Sequence, residues 1–147
     1  METNQTITTM YQTDTNQNRR PKIILLDDDK LYCVLFKKQV QAHADCDFAT
    51  RADGFFRKLD QHDYDFALVD FNLRESNCLS ITQEAAKKYN IPVIVISSSF
   101  ANLMGCSSLE PSIDSIQGYL SKWEQPDTIL FQSLRQLEFV NPDPIMS

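Results

Sequence analysis

The chain has 147 residues, 42% of them hydrophobic, and a formal net charge of −6 from 14 basic and 20 acidic side chains. That length suits one domain with a real core, and the acidic excess argues against a broad nucleic-acid-binding face. No apolar run is long enough to cross a membrane, the first 18 residues lack the basic and apolar blocks of a signal peptide, and a cytoplasmic protein is expected.

Residues 1–20 are rich in Thr, Asn and Gln, with Ile7, Met10 and Tyr11 as their larger apolar groups, and read as a flexible polar tail closed by Arg19-Arg20-Pro21. The folded domain is expected over 21–141. It opens with the apolar run Ile23–Leu26, a strand, followed by a helix over Leu31–Val40. Leu31, Val34 and Leu35 are its expected inward face, and Lys37 and Lys38 suit its C-terminus. Cys46–Ala49 is a weaker strand, and Phe55, Phe56 and Leu59 form a helical stripe after Asp53-Gly54. Phe66–Val69 is the next strand, and Leu79–Tyr89 the next helix, with Ile81, Ala85 and Tyr89 at helical spacing. Val93–Ile96 is a fourth strand. The segment 100–117, with Gly105, Ser107-Ser108 and Pro111, is poor helix material, so a short or broken helix is expected there. Tyr119–Leu120 is a weak last strand. Pro126 opens a helix over Asp127–Val140, with Leu130, Leu134 and Leu137 inward, and 142–147 is a Pro-broken tail.

Apolar runs that do not alternate with polar residues belong to strands buried on both faces. Strands alternating with helices imply a doubly wound α/β fold, with the site at the carboxyl ends of the strands. Polar residues stand where that rule needs them. The first run ends in Asp27-Asp28-Asp29, the third in Asp70, the fourth in Ser97-Ser98-Ser99, and Lys122 follows the fifth. Converging carboxylates repel one another unless a cation is present, and a hard divalent ion with oxygen ligands, Mg²⁺ above all, meets that need. Lys122 supplies a point charge and Ser97 a hydroxyl donor, as an incoming phosphoryl group requires. Asp70, alone at its strand end, is the candidate nucleophile.

The series Ile-Leu-Leu-Asp27-Asp28-Asp29, Leu-Val-Asp70-Phe-Asn-Leu, Ile-Pro-Val-Ile-Val-Ile-Ser97-Ser and Gly-Tyr119-Leu-Ser-Lys122 resembles the receiver domain of two-component response regulators, the CheY-like superfamily. The resemblance runs from Lys22 to about Val140 and implies a flavodoxin-like, five-stranded parallel sheet of order 2-1-3-4-5 with helices on both faces. It implies Asp70 as phospho-acceptor, with Lys122 and Ser97 binding phosphoryl oxygens. Asp28 and Asp70 would hold Mg²⁺, with Asp27 acting through water and the backbone carbonyl of Asn72 completing the set; Asp29 is not a ligand. Ser97 and Tyr119 would form the switch pair. Its implied partners are a sensor histidine kinase or phosphotransfer protein and a downstream protein. No nucleic-acid or membrane partner is expected, a homodimer is compatible, and no enzymatic activity is expected beyond self-phosphorylation and dephosphorylation.

The departures are specific. Trp123 follows the lysine where the family has proline after a cis bond, so a trans link and a reshaped loop are expected. Arg74 and Cys78 replace the family's Pro and Gly in the loop after the acceptor. Two other functions compete with phosphorylation-driven signalling. One is a phosphorylation-independent pseudo-receiver that binds partners. The other is a haloacid-dehalogenase-type phosphatase, with Asp27 as nucleophile and Asp29 as general acid. Cys33, Cys46, Cys78 and Cys106 have no metal-binding spacing and read as free thiols. His43 and His62 read as surface residues.

Overall fold

A computed structural model of the chain describes residues 19–99 and 115–138. The expected tail up to residue 18, the segment 100–114 with Cys106, and 139–147 with the 142–147 tail lie outside the described residues. The strands are β1 (Lys22–Leu26), β2 (Asp45–Ala49), β3 (Phe66–Asp70), β4 (Val93–Ser97) and β5 (Ile116–Ser121). The helices are α1 (Lys30–Val40), α2 (Ala52–Gln61), α3 (Cys78–Tyr89) and α4 (Pro126–Gln136). β5 thus takes the last two residues of the stretch expected to be irregular.

The five strands form one parallel sheet in the order β2-β1-β3-β4-β5, as the resemblance implies. β3 and β4 are buried at every residue, which is why their sequences read as unbroken apolar runs. Alternate residues serve two cores. Ile24, Leu26, Ala67, Val69, Val93 and Val95 meet α2 and α3 through Phe55, Leu59, Ile81 and Ala85. Ile23, Leu25, Phe66, Leu68, Ile94 and Ile96 meet α1 and α4 through Phe36, Val40, Ile129, Leu130 and Leu134. Leu137, expected inward, is partly buried against this second core.

α1 corrects one expectation. Its inward face is Cys33, Phe36 and Val40, whereas Leu31, Val34 and Leu35 are exposed at 67%, 43% and 47%. Both sets repeat with helical spacing. The side chain of Asp29 accepts from Tyr32 N and fixes the first turn, and the rotation that follows carries the ring of Phe36 into the core. α3 is capped in the same way by Asn77, which accepts from Ser80 N, and ends on Asn90 in the left-handed region at φ 55°.

Two residues assigned to the tail from the sequence are anchored. Arg19 grips the Asp65 carboxylate with two bonds of 2.9 and 2.5 Å. Arg20 reaches Asp45 at 3.0 Å and the carbonyls of Gln41 and Ala44 at 2.6 and 3.0 Å. They tie the start of β1 to the turn before β2 and to the residue preceding β3. Cys33, Cys46 and Cys78 are buried free thiols, as expected, and burial pushes Cys33 and Cys46 up to about 12. His43 and His62 are exposed. No helix among the described residues is long and apolar enough to cross a membrane.

Phe36→Ala is expected to lower unfolding free energy by about 3–5 kcal/mol, whereas Leu35→Ala, on the outward face, changes it by about 0.5 kcal/mol. Urea titrations of the two variants check the assignment of the inward face, and equal losses would contradict it.

Candidate functional site

Four strand ends deliver the polar side chains to one edge of the sheet. Asp27 continues β1, its N–H donating to Ala49 O at 3.1 Å, and Lys122 continues β5, its N–H donating to Ser97 O at 2.9 Å. Asp70 and Ser97 are the last residues of β3 and β4. Asp27 turns the chain into α1: its Oδ1 accepts from Asp29 N at 2.9 Å, while Asp29 Oδ1 accepts from Tyr32 N at 3.1 Å. Asp29 therefore caps a helix, as its non-ligand position in the resemblance allows.

Asp27, Asp28 and Asp70 each place a carboxylate oxygen within 4.8 Å of the other two. Asp27 is fully buried and Asp70 nearly so. Lys122 Nζ lies 2.7 Å from Asp27 Oδ2 and 3.7 Å from Asp70 Oδ2. The close contact is an ion pair that leaves Asp27 Oδ2 without a well-directed hydrogen bond. Burial, the Asp27 charge and, more weakly, Asp28 push the Asp70 carboxyl up to about 6 against the pull of Lys122. Burial raises Asp27 as well, opposed by Lys122 and the Asp29 N–H. For Lys122, burial favours the neutral amine, but Asp27 and Asp70 outweigh it and the group is held above its ordinary range.

The remaining expected residues gather around this centre. Asn72 N donates to Asp70 Oδ1 at 3.3 Å, and its side-chain amide is 3.5 Å from Ser97 Oγ. Ser97 Oγ also accepts from Ser99 N at 3.1 Å, so its hydroxyl shapes the turn after β4 as well as facing the site. Tyr119 pairs with Val95 in register and packs, half-buried, on the α2–α3 core. Val95 and Ser97 are two apart on β4, which puts Ser97 and Tyr119 on the same face of the sheet.

Three other contacts belong to the site. Tyr32, not singled out from the sequence, lies under Lys122, with Nζ 4.4 Å from the ring centre. Its hydroxyl is buried with no hydrogen-bond partner among the described residues. The signal was available, because a residue in the first turn of a helix leans toward the N-terminus, here the strand edge. Trp123, 80% exposed, donates its indole N–H to Ser98 O at 2.7 Å and its backbone N–H to Ser121 Oγ at 3.1 Å. It thereby clips the loop after Lys122 to the loop after Ser97. Arg74 donates to Asp28 Oδ2 from its backbone N at 2.8 Å and from Nε at 3.1 Å.

The donor set suits a hard divalent cation: three carboxylates, two of them buried, with a fully buried oxygen of Asp27 short of a directed hydrogen bond. With Lys122 as its cation the Asp70 carboxyl is still held above the usual carboxylate range by burial and by Asp27, and a cation of higher charge would oppose that shift.

No protein-family model and no curated protein sequence matches this chain. Solved structures do match. The receiver domain of the Francisella response regulator 1452 is 20% identical, with a TM-score of 0.66 over 81% of this chain and 98% of that one. The response regulator TrrA of Thermotoga maritima, in complex with Mg(2+)-BeF, is 19% identical, with a TM-score of 0.66 over 79% and 98%. A CheY-like receiver domain protein of Methanospirillum hungatei is 18% identical, with a TM-score of 0.68 over 82% and 95%. The chain has the flavodoxin-like fold of response regulator receiver domains.

A carboxyl raised in the folded state contributes stability that is present below its unfolded pKa, near 4, and is lost as pH rises through its folded value. For Asp70 that window runs from about pH 4 to about pH 6. Without divalent cation, Asp70→Asn is therefore expected to be more stable than wild type at pH 7.5, by on the order of 2 kcal/mol. The gap should narrow at pH 5. Thermal melts of both proteins across this range check the sign, and a gap that widens toward pH 5 would contradict it.

Proposed function

We propose that this chain is a response regulator of the cytoplasm, in which Asp70 accepts a phosphoryl group from a sensor histidine kinase or phosphotransfer protein. The observation that carries the reading is the uneven grip of Lys122, 2.7 Å from Asp27 and 3.7 Å from Asp70. Asp27 anchors the ammonium, and the looser contact leaves Asp70 as the carboxylate able to react.

In the proposed reaction an Asp70 oxygen attacks phosphorus, the bond to the donor nitrogen breaks, and its electron pair leaves with the imidazole. Asp28, Asp70 and the Asn72 carbonyl would hold Mg²⁺ directly and Asp27 through water. The ion supplies charge neutralisation for the phosphoryl oxygens and the acidic cluster when bound. Lys122 meets one developing phosphoryl charge from its seat over Tyr32, and Ser97 turns its hydroxyl from the Ser99 turn toward another. Ser97 leads the loop that Trp123 holds, and Tyr119 shares its face of the sheet, so output would follow from rearrangement of that face and a changed protein contact.

One observation favours the phosphorylation-independent binding module as a second reading: Arg74 already sits on Asp28. Against the phosphatase reading, one oxygen of Asp29, its candidate general acid, is engaged as the cap of α1.

Incubation with acetyl phosphate or phosphoramidate and Mg²⁺, followed by intact mass spectrometry, separates these. The expected result is a Mg²⁺-dependent gain of one phosphoryl mass that is absent in Asp70→Asn. No adduct and no donor turnover would leave the binding module. An adduct that survives Asp70→Asn but is lost in Asp27→Asn would assign the nucleophile to Asp27.

A further inference from the structure

We infer that Arg74 is a resident counter-cation of the acidic cluster, which competes with a divalent ion for Asp28 and so sets the metal concentration at which the site loads. The inference rests on the magnesium reading of the site. Where the resembled family has proline, this chain has a guanidinium whose Nε lies 3.1 Å from Asp28 Oδ2, while the terminal nitrogen is 3.5 Å from Asp28 O. The same carboxylate oxygen also accepts from Arg74 N at 2.8 Å.

Two donors on one oxygen occupy most of its lone-pair capacity. A divalent ion that binds through Oδ2 must displace the guanidinium, and one that binds through the other oxygen faces a positive charge a few ångströms away. Either route opposes loading. The guanidinium has somewhere to go. Beside it is a cleft of about 390 Å³, lined by Asp28, Arg51, Asp53, Arg74, Glu75 and Ser76 among others. Glu75 lies in that cleft with its carboxylate 3.4 Å from Arg51, so it offers a second acceptor for a displaced arginine. The backbone bond from Arg74 N to Asp28 does not depend on the side chain. Asp28 can therefore stay oriented while its counter-ion changes.

Lys122 and Arg74 divide the cluster between them. Lys122 serves Asp27 and Asp70, the inner pair, and Arg74 serves Asp28, the outer member. Arg74 is 77% exposed and Asp28 only 22%, so the outer pair is the one that can open without unpacking the domain.

The test is calorimetric titration of Mg²⁺ into the full chain, with no phosphoryl donor present, for wild type, Arg74→Ala, Arg74→Lys and Asp28→Asn. Arg74→Ala is expected to bind Mg²⁺ about fivefold more tightly than wild type, the scale of one partly exposed ion pair. Arg74→Lys, which keeps the charge without the fork, should fall between them. The difference between wild type and Arg74→Ala should shrink at high salt, because the guanidinium is exposed. Equal affinities for wild type and Arg74→Ala would overturn the competition, and weaker binding by Arg74→Ala would make Arg74 a residue that orients Asp28 for the metal. Failure of the magnesium reading looks different. Wild type and Arg74→Ala would both show no heat, or Asp28→Asn would bind as well as wild type, and the inference would fall with it.

Discussion

The contact of Lys122 with Asp27 and Asp70 is what allows three acidic side chains to meet at one edge of the sheet with two of them buried. An ionised carboxylate removed from water is costly unless it is paired and hydrogen-bonded. One ammonium cannot satisfy both inner carboxylates equally. It lies closest to Asp27, which also accepts the Asp29 N–H, and Asp70 retains the larger deficit. That imbalance separates the two groups chemically. Asp27 is the anchor, one oxygen on the Asp29 N–H and the other against the ammonium, whereas Asp70 combines burial, a raised proton affinity and a weak partner.

The sheet dictates that, among the described residues, buried charge collects there. β3 and β4 are covered on both faces, so a polar side chain within them would have to be satisfied by an apolar layer. The carboxyl ends are the first positions where a side chain can leave that layer. Parallel pairing aligns all those ends on one side, and the loops that follow then supply what the strands cannot. Asp29 starts α1 and in doing so delivers the ring of Tyr32 beneath Lys122. Arg74 comes across from the loop after β3, and Trp123 bridges the loops after β4 and β5.

Much of this was legible in the residues. Unbroken apolar runs such as Val93–Ile96 disclose central strands because burial on both faces removes the alternation, and Asp27, Asp70, Ser97 and Lys122 stand out because each directly follows or closely trails such a run. The resemblance then supplied a strand order that periodicity cannot, since pairing across a sheet leaves no local mark. α1 was misread for a related reason. Leu31, Val34 and Leu35 present a more apolar stripe than Cys33, Phe36 and Val40, and hydrophobicity favours the former. The structure follows the latter, because the Asp29 cap and the exit from β1 fix the rotation of the helix before its side chains compete for the core. Arg74 and Trp123 were visible as departures from a pattern. Their partners, Asp28 and Ser98, are 46 and 25 residues away, beyond any spacing argument.

The indole bridge to Ser98 has an optical side. The chain contains one tryptophan, and it is held by its N–H to a backbone carbonyl while most of its ring faces solvent. Loss or rotation of that bond changes both the polarity around the ring and its freedom to reorient. The protein's tryptophan emission therefore comes from a single fluorophore astride the two loops that follow Ser97 and Lys122. Emission intensity and anisotropy become a label-free record of how those loops move relative to each other, in a molecule whose other aromatic residues absorb and emit at shorter wavelengths.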